Sequence, residues 1–408
     1  MDITFKSLIK IFHRNYEKNN SKTKIYNTFL KYIIILLNLL IILIYLNKNE
    51  KYFIYKSLSF YTHYIKDCTN LKYYKRIKIN NLIPYISICL PVYNMENYIE
   101  KSILSILNQS FQNFEIIIVN DKSTDNTNEI VMRLQIKDDR IKLINHSKNL
   151  GVYASRVDGI LASSGKYIIL MDPDDMLLNP ELLEELYNYN LKYNLDIIEY
   201  NVICYLEKYN LIKYIQKYYH NHSFRKKIIY QPELSDIYFY FPINSSYSKV
   251  QCRPIWNKII RRNILLNTIL YIGEDYYKKF FITAEDTLIN LISLHFSKNY
   301  SNINLLGYMY NIRETSMTHG KSSKTKKIIF CYNHLLYLQK LYFYIKEFNK
   351  DFNYLYYELI DISKILLKLT KISKNFTEKI KIFFNEIFNN KYISNKIKTN
   401  IKNLLPFL

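Results

Sequence analysis

The segment YIILMDPDDMLLNP places three carboxylates, Asp172, Asp174 and Asp175, within four residues, directly behind an apolar run. Like charges that close together repel, so something must compensate them. Hard carboxylate oxygens gathered at one point suit Mg2+ or Mn2+, which usually keeps water and a substrate phosphate in its remaining positions. The plain alternative is a solvated acidic turn in which an Asp caps the next helix. A second acidic pair, Glu285 and Asp286, follows Thr283. Thr283-x-x-Asp286 reads either as an ordinary capping box or as a carboxylate base kept ionised by a helix dipole. Upstream, Asn94 and Asp121 each close an apolar run. Asn94 is expected to cap the helix behind it, with Glu96 favoured by the dipole. Pro91 and Tyr93 offer rigid surface on which a nucleotide base could stack. Trp256, the single Trp, either stacks on a sugar or fills core.

These residues need elements to carry them. Short apolar runs at 85–90, 114–119, 141–144 and 167–171 alternate with helix-like stretches at 99–107, 128–136 and 152–162. Continuous apolar strands separated by amphipathic helices predict an α/β, Rossmann-like, mostly parallel sheet flanked by helices. Ligands of such open sheets bind outside the carboxyl ends of the strands. The polar clusters PVYN, NDKSTDN and DPDD fall at those ends.

The net charge of +22 over 408 residues is uneven. From Gly320 to Leu408 there are 17 Lys, no Arg and six acids, which is half the excess. A region without Arg lacks the bidentate fork used to read bases, so nucleic acid is not an expected partner. The Lys-rich helices expected there read either as a membrane-surface face or as solvated faces. The five Cys form no CxxC pair, which argues against a zinc site or a disulfide framework. YIIILLNLLIILIYL, within residues 28–47, is close to the length a spanning helix needs. Seven Lys or Arg precede Tyr32, so the positive-inside bias puts the N-terminus in the cytosol. The expected organisation is a basic segment at 1–27, a signal-anchor at 28–47, a stem at 48–84, a catalytic domain at 85–320 and a basic helical region at 321–408.

From Tyr85 onward the blocks carry a resemblance. ISICLPVYNMENYIEKSILSILNQSFQNFEIIIVNDKSTDNT, then NLGVYASRVDGILASSGKYIILMDPDDML, CRPIWNKIIRRNIL, AEDTLINLISLHFSKNY and YMYNIRETSMTH, resemble the family 2 glycosyltransferases in order and spacing. The resemblance implies a GT-A type fold and inverting, metal-dependent transfer from a nucleotide-diphosphate sugar to an acceptor hydroxyl. It implies that Pro91, Tyr93, Glu96, Asp121, Asn149, Gly151, Arg156, Asp172 and Asp174 bind the donor. Asp174 and Asp175, with His319 as a late ligand, would hold Mn2+ or Mg2+, and Asp286 would be the base. Trp256 and Glu285 would lie on the acceptor side. Family habit favours a UDP-sugar; the acceptor could be a glycan, a lipid or a protein. A lumen-facing enzyme is expected in a eukaryote and a cytoplasm-facing one in a bacterium. The competing reading is a catalytically inactive, membrane-anchored scaffold. Three positions depart from the family pattern: Lys122 where Gly is usual, Asp158 where Asn is usual, and Pro173 inside the acidic motif. A turn needing positive φ would make Lys122 costly.

Overall fold

The computed structural model describes residues 83–207, 211–214, 228–230, 254–313 and parts of 333–347. The expected anchor at 28–47, the stem up to residue 82, His319 and nearly all of the basic C-terminal region lie outside the described residues. Among those described, no helix is long and apolar enough to cross a membrane.

The first half is built from β1 (Ile86–Val92), α1 (Ile99–Leu107), β2 (Phe114–Asn120), α2 (Thr127–Lys137), β3 (Ile141–Asn145), α3 (Val152–Ala162) and β4 (Tyr167–Leu170). β1, β2 and β4 are buried at every position, as continuous apolar runs require when helices cover both faces. β1 pairs in parallel with both β2 and β4, and β2 with β3. The chain therefore winds outward to β3 and returns to lay β4 beside β1. This reversal makes a crevice at the carboxyl ends of β1 and β4. Gly159 of α3 lets the helix approach β1 closely, since a Cβ there would lie 3.1 Å from Cys89 Cβ.

The second half adds β5 (Met176–Leu177), α4 (Leu182–Tyr193), β6 (Ile197–Leu206), β7 (Leu211–Tyr214), β8 (Ile228–Tyr230) and β9 (Lys258–Arg261). α5 (Arg262–Ile272), α6 (Glu274–Tyr277), α7 (Glu285–Phe296) and β10 (Asn299–Ile312) follow. The sheet order is β3-β2-β1-β4-β9-β6-β10-β5, with β7 on β6 and β8 on β10. β9 is antiparallel to both β4 and β6, and β6 is parallel to β10. Two reversals restore the direction, so β6 and β10 run the same way as β1 to β4. Their carboxyl ends reach the same edge as the acidic loop behind β4. This is the mostly parallel, helix-flanked sheet the apolar runs predict.

Candidate active site

The loops behind β1 and β2 are stitched together. Asn94, at φ 52°, accepts from Thr124 N at 2.8 Å through Oδ1. The Glu96 carboxylate accepts from Asn126 N and Nδ2, at 3.1 and 2.8 Å. Neither residue caps α1, whose N-cap is Tyr98, without a side-chain hydrogen bond. The expected cap is thus replaced by a clasp between two loops. Tyr93 stands 43% exposed at the end of β1, free to offer its ring to a base, while Pro91 is buried within the strand.

Asp121 is fully engaged by the protein. Oδ1 accepts from Leu150 N at 2.7 Å and lies 2.8 Å from His146 Nδ1; Oδ2 accepts from Gly151 N at 2.8 Å. Gly151 has φ 94°, a conformation that side chains rarely tolerate, and Asn149 Oδ1 also accepts from its N–H. His146 Nε2 lies 2.9 Å from Asp158 Oδ2, which also accepts from Tyr277 OH at 2.9 Å. Asp158, in place of the usual Asn, therefore belongs to a half-buried imidazole–carboxylate cluster. His146 and Tyr277 were not foreseen; a His three residues ahead of Asn149 was the available signal. Lys122 does take φ 64°, the strained turn its place in the pattern suggested.

The three acidic-motif carboxylates diverge, and each has its own partner. Asp172 pairs with Arg156 Nη2 at 2.7 Å. Asp174 lies 2.6 Å from Arg313 Nε, just past the end of β10. Asp175 is fully buried and accepts from Tyr308 OH at 2.6 Å and Asn311 N at 2.7 Å. The protein thus supplies much of the compensation that the sequence left open. Residual cost remains: burial, opposed by Arg313, pushes Asp174 up to about 6, and burial beside its acidic neighbours raises Asp175 well above the usual range. Trp256 is buried and stacks on Tyr308 and Tyr310, with centroids 4.8 and 5.1 Å away. It underpins the tyrosine that holds Asp175, which resolves its alternatives toward core.

Arg156 is buried, and its Nη1 has no hydrogen-bond partner. Besides Asp172 it reaches Glu285 Oε1, 3.4 Å from Nε, and so joins the acidic motif to the acidic pair that opens α7. Burial pushes Glu285 up to about 7, with the adjacent Asp286 adding to the shift. Burial also raises Asp286, against the pull of Arg156, so the dipole does not dominate there. Thr283 does not cap α7: the N-cap is Ala284 in the left-handed region at φ 65°, and Thr283 Oγ1 has no partner. Asp286 is half-buried, whereas Glu285 is sealed against Arg156. Of the pair, Asp286 is the one open to a ligand. Among the described residues no group of three His, Cys, Asp or Glu is arranged to hold a metal.

The Rossmann-like sheet gathers its acidic loops at a reversal crevice, the place where ligands of such open sheets bind. The sequence model of Glycosyl transferase family 2 matches residues 87–266. It is 42% identical over 126 residues to an uncharacterized glycosyltransferase of Haemophilus influenzae, covering 31% of this chain and 50% of that protein. Identity to glycosyltransferase GlyA of Streptococcus pneumoniae is 29% over 241 residues, 59% of this chain and 32% of that one. The chain spans half or less of the length of these two relatives. A crystal structure of S. aureus TarS 1-349 in complex with UDP-GlcNAc aligns over 72% of this chain and 76% of its own, at 20% identity and TM-score 0.46.

Proposed function

We propose that this chain transfers a sugar from a nucleotide-diphosphate sugar, a UDP-sugar by family habit, to an acceptor hydroxyl with inversion. The observation that carries this reading is the Arg156 bridge. One buried guanidinium links Asp172 of the acidic motif to Glu285, beside the open carboxylate of Asp286. A donor lying along the motif and an acceptor approaching Asp286 would then meet at one sheet edge.

The chemistry assigns roles. Tyr93 stacks on the base, and the clasped loops behind β1 and β2 fix its distance from the crevice. Asp121 and His146 act indirectly, by holding the backbone of 149–151. Asp286 takes the proton from the acceptor hydroxyl as it attacks; its raised pKa brings it closer to a base matched to neutral pH. Displacement in one step from the opposite face inverts the anomeric carbon, by the geometry that governs inverting hydrolases.

In this reading a divalent cation, Mn2+ or Mg2+, would be held by Asp172 and Asp174, two carboxylates rather than a full protein cage, with the donor's phosphates and water supplying the rest. The Asp172 and Asp174 side chains are 26% and 12% exposed, and their hard oxygens suit such an ion. Asp175 is sealed by Tyr308 and Asn311, so in this reading it supports the site from behind. When bound, the cation would act as a Lewis acid on the departing diphosphate. A membrane anchor at 28–47 remains part of the proposal.

Asp286→Asn is the test. Transfer from the accepted donor should fall by at least about 100-fold, the loss typical of a missing general base, with nucleotide affinity nearly unchanged. Retained turnover would overturn the assignment. Nucleotide binding without turnover in the unaltered protein, across broad acceptor sets, would favour the scaffold reading.

A further inference from the structure

We infer that Arg313 and the divalent cation are alternatives on Asp174: the arginine latches the empty acidic loop and is released toward the donor's diphosphate when the cation binds. The inference rests on the donor reading above and adds to it a residue given no role there.

Four observations support it. Arg313 follows the last residue of β10 at the carboxyl edge of the sheet, where the crevice opens. Its Nε lies 2.6 Å from Asp174 Oδ2, yet this N–H makes no aligned hydrogen bond. A guanidinium committed to a carboxylate for good normally presents its two-pronged fork. Here the closest contact is made by Nε, and its N–H is out of line for a hydrogen bond. The guanidinium also rests on the ring of Tyr98, 4.8 Å from its centroid, and Tyr98 is anchored through its hydroxyl to Glu207 at 3.0 Å. That platform lies at the start of α1 and at the end of β6, outside the acidic loop. It can hold the arginine near the crevice after Asp174 is given up. Finally, the side chains of Arg313 and Asp174 are 11% and 12% exposed, so the pair sits at the threshold of the solvent from which ions arrive.

The physical consequence is competition. A cation approaching Asp174 meets a carboxylate already neutralised by Arg313. Asp174 would be fully available to a cation only once the Arg313 guanidinium leaves it, and the donor's diphosphate would be the anion then offered to Arg313. Metal and donor are then coupled through one side chain. Without donor, the latch suppresses metal binding; with donor, the displaced arginine gains an anionic partner.

The full-length chain separates this from a structural role. Mn2+ binding is read by electron paramagnetic resonance without nucleotide. The nucleoside diphosphate that stabilises the unaltered protein is then titrated without metal. Arg313→Gln should tighten Mn2+ alone by about tenfold and weaken metal-free nucleotide binding by a similar factor, within the usual range of coupling between sites. Asp174→Asn, which frees the arginine, should do the reverse: Mn2+ is lost and metal-free nucleotide binding tightens. Arg313→Lys, which keeps the charge, should fall between the unaltered protein and Arg313→Gln in Mn2+ affinity and guards against a fold lost in Arg313→Gln. Equal Mn2+ affinity in the unaltered protein and the Arg313 variants would overturn the latch, as would weaker metal-free nucleotide binding in Asp174→Asn. If no nucleoside diphosphate binds the unaltered protein, the donor reading fails, and the Mn2+ comparison still decides whether Arg313 excludes the ion.

Discussion

Glu285→Gln should flatten part of the dependence of stability on pH. The Glu285 side chain is 7% exposed, and its contact to Arg156 is 3.4 Å long, too long to repay the lost hydration. Burial first, then Asp286, lift its pKa from 4.5 to about 7, although Arg156 pulls the other way. The sign follows from proton counting. Between pH 4.5 and 7 the folded chain holds a proton on Glu285 that the unfolded chain has released, so stability falls as pH rises through that window. A shift of this size costs roughly 3 kcal/mol once both states are ionised. Glutamine cannot ionise and keeps the shape of the protonated acid. The variant should therefore match the unaltered protein near pH 4 and exceed it by up to about 3 kcal/mol at pH 8. Asp174 and Asp175 also have raised values, but they titrate in both proteins and largely cancel in the comparison; Asp286 acts on Glu285 directly, so the difference measured belongs to the Glu285–Asp286 pair. Urea unfolding at the two pH values, followed by Trp256 fluorescence, measures the difference. Parallel stability profiles would refute the claim that Glu285 is held protonated by burial.

Two further substitutions probe the frame of the site. Lys122→Gly relieves a non-glycine residue at φ 64° and should raise stability by about 0.5–1 kcal/mol after the added freedom of the unfolded chain is counted; a lower melting temperature would contradict that strain. Tyr308→Phe removes the 2.6 Å donor from the buried Asp175 and should cost about 1–3 kcal/mol, with a shift in Trp256 emission because the rings stack; unchanged denaturation and emission would show that the hydroxyl does not hold the motif.

The sequence was most legible where one physical rule acts alone. β1, β2 and β4 are buried on both faces, so they appear as uninterrupted apolar runs, and the polar clusters behind them had to fall at one edge. The strain at Lys122 was readable because a backbone conformation permits few residue types. Caps were less legible because local signals compete with tertiary ones. Asn94 is drawn to Thr124, thirty residues away, and Ala284, in the left-handed region, occupies the N-cap position of α7 in place of Thr283. The partners of the acidic motif were beyond local reasoning altogether. Arg313 lies 139 residues from Asp174 in sequence, and only the double reversal through β9 brings the end of β10 beside it. Trp256 shows the same limit, since the tyrosines that stack on its ring, Tyr308 and Tyr310, both come from β10.

The most direct test of the account is nucleotide binding by the full-length chain. UDP, GDP, CDP and dTDP would each be added with and without Mn2+ while the melting temperature is followed. A ligand at about 100 times its dissociation constant adds about 2.7 kcal/mol, which a melting curve resolves. The account predicts a shift with one of these nucleotides, UDP by family habit, that grows when Mn2+ is present. A cooperative melt that none of them moves would contradict the donor site on which the proposed function rests.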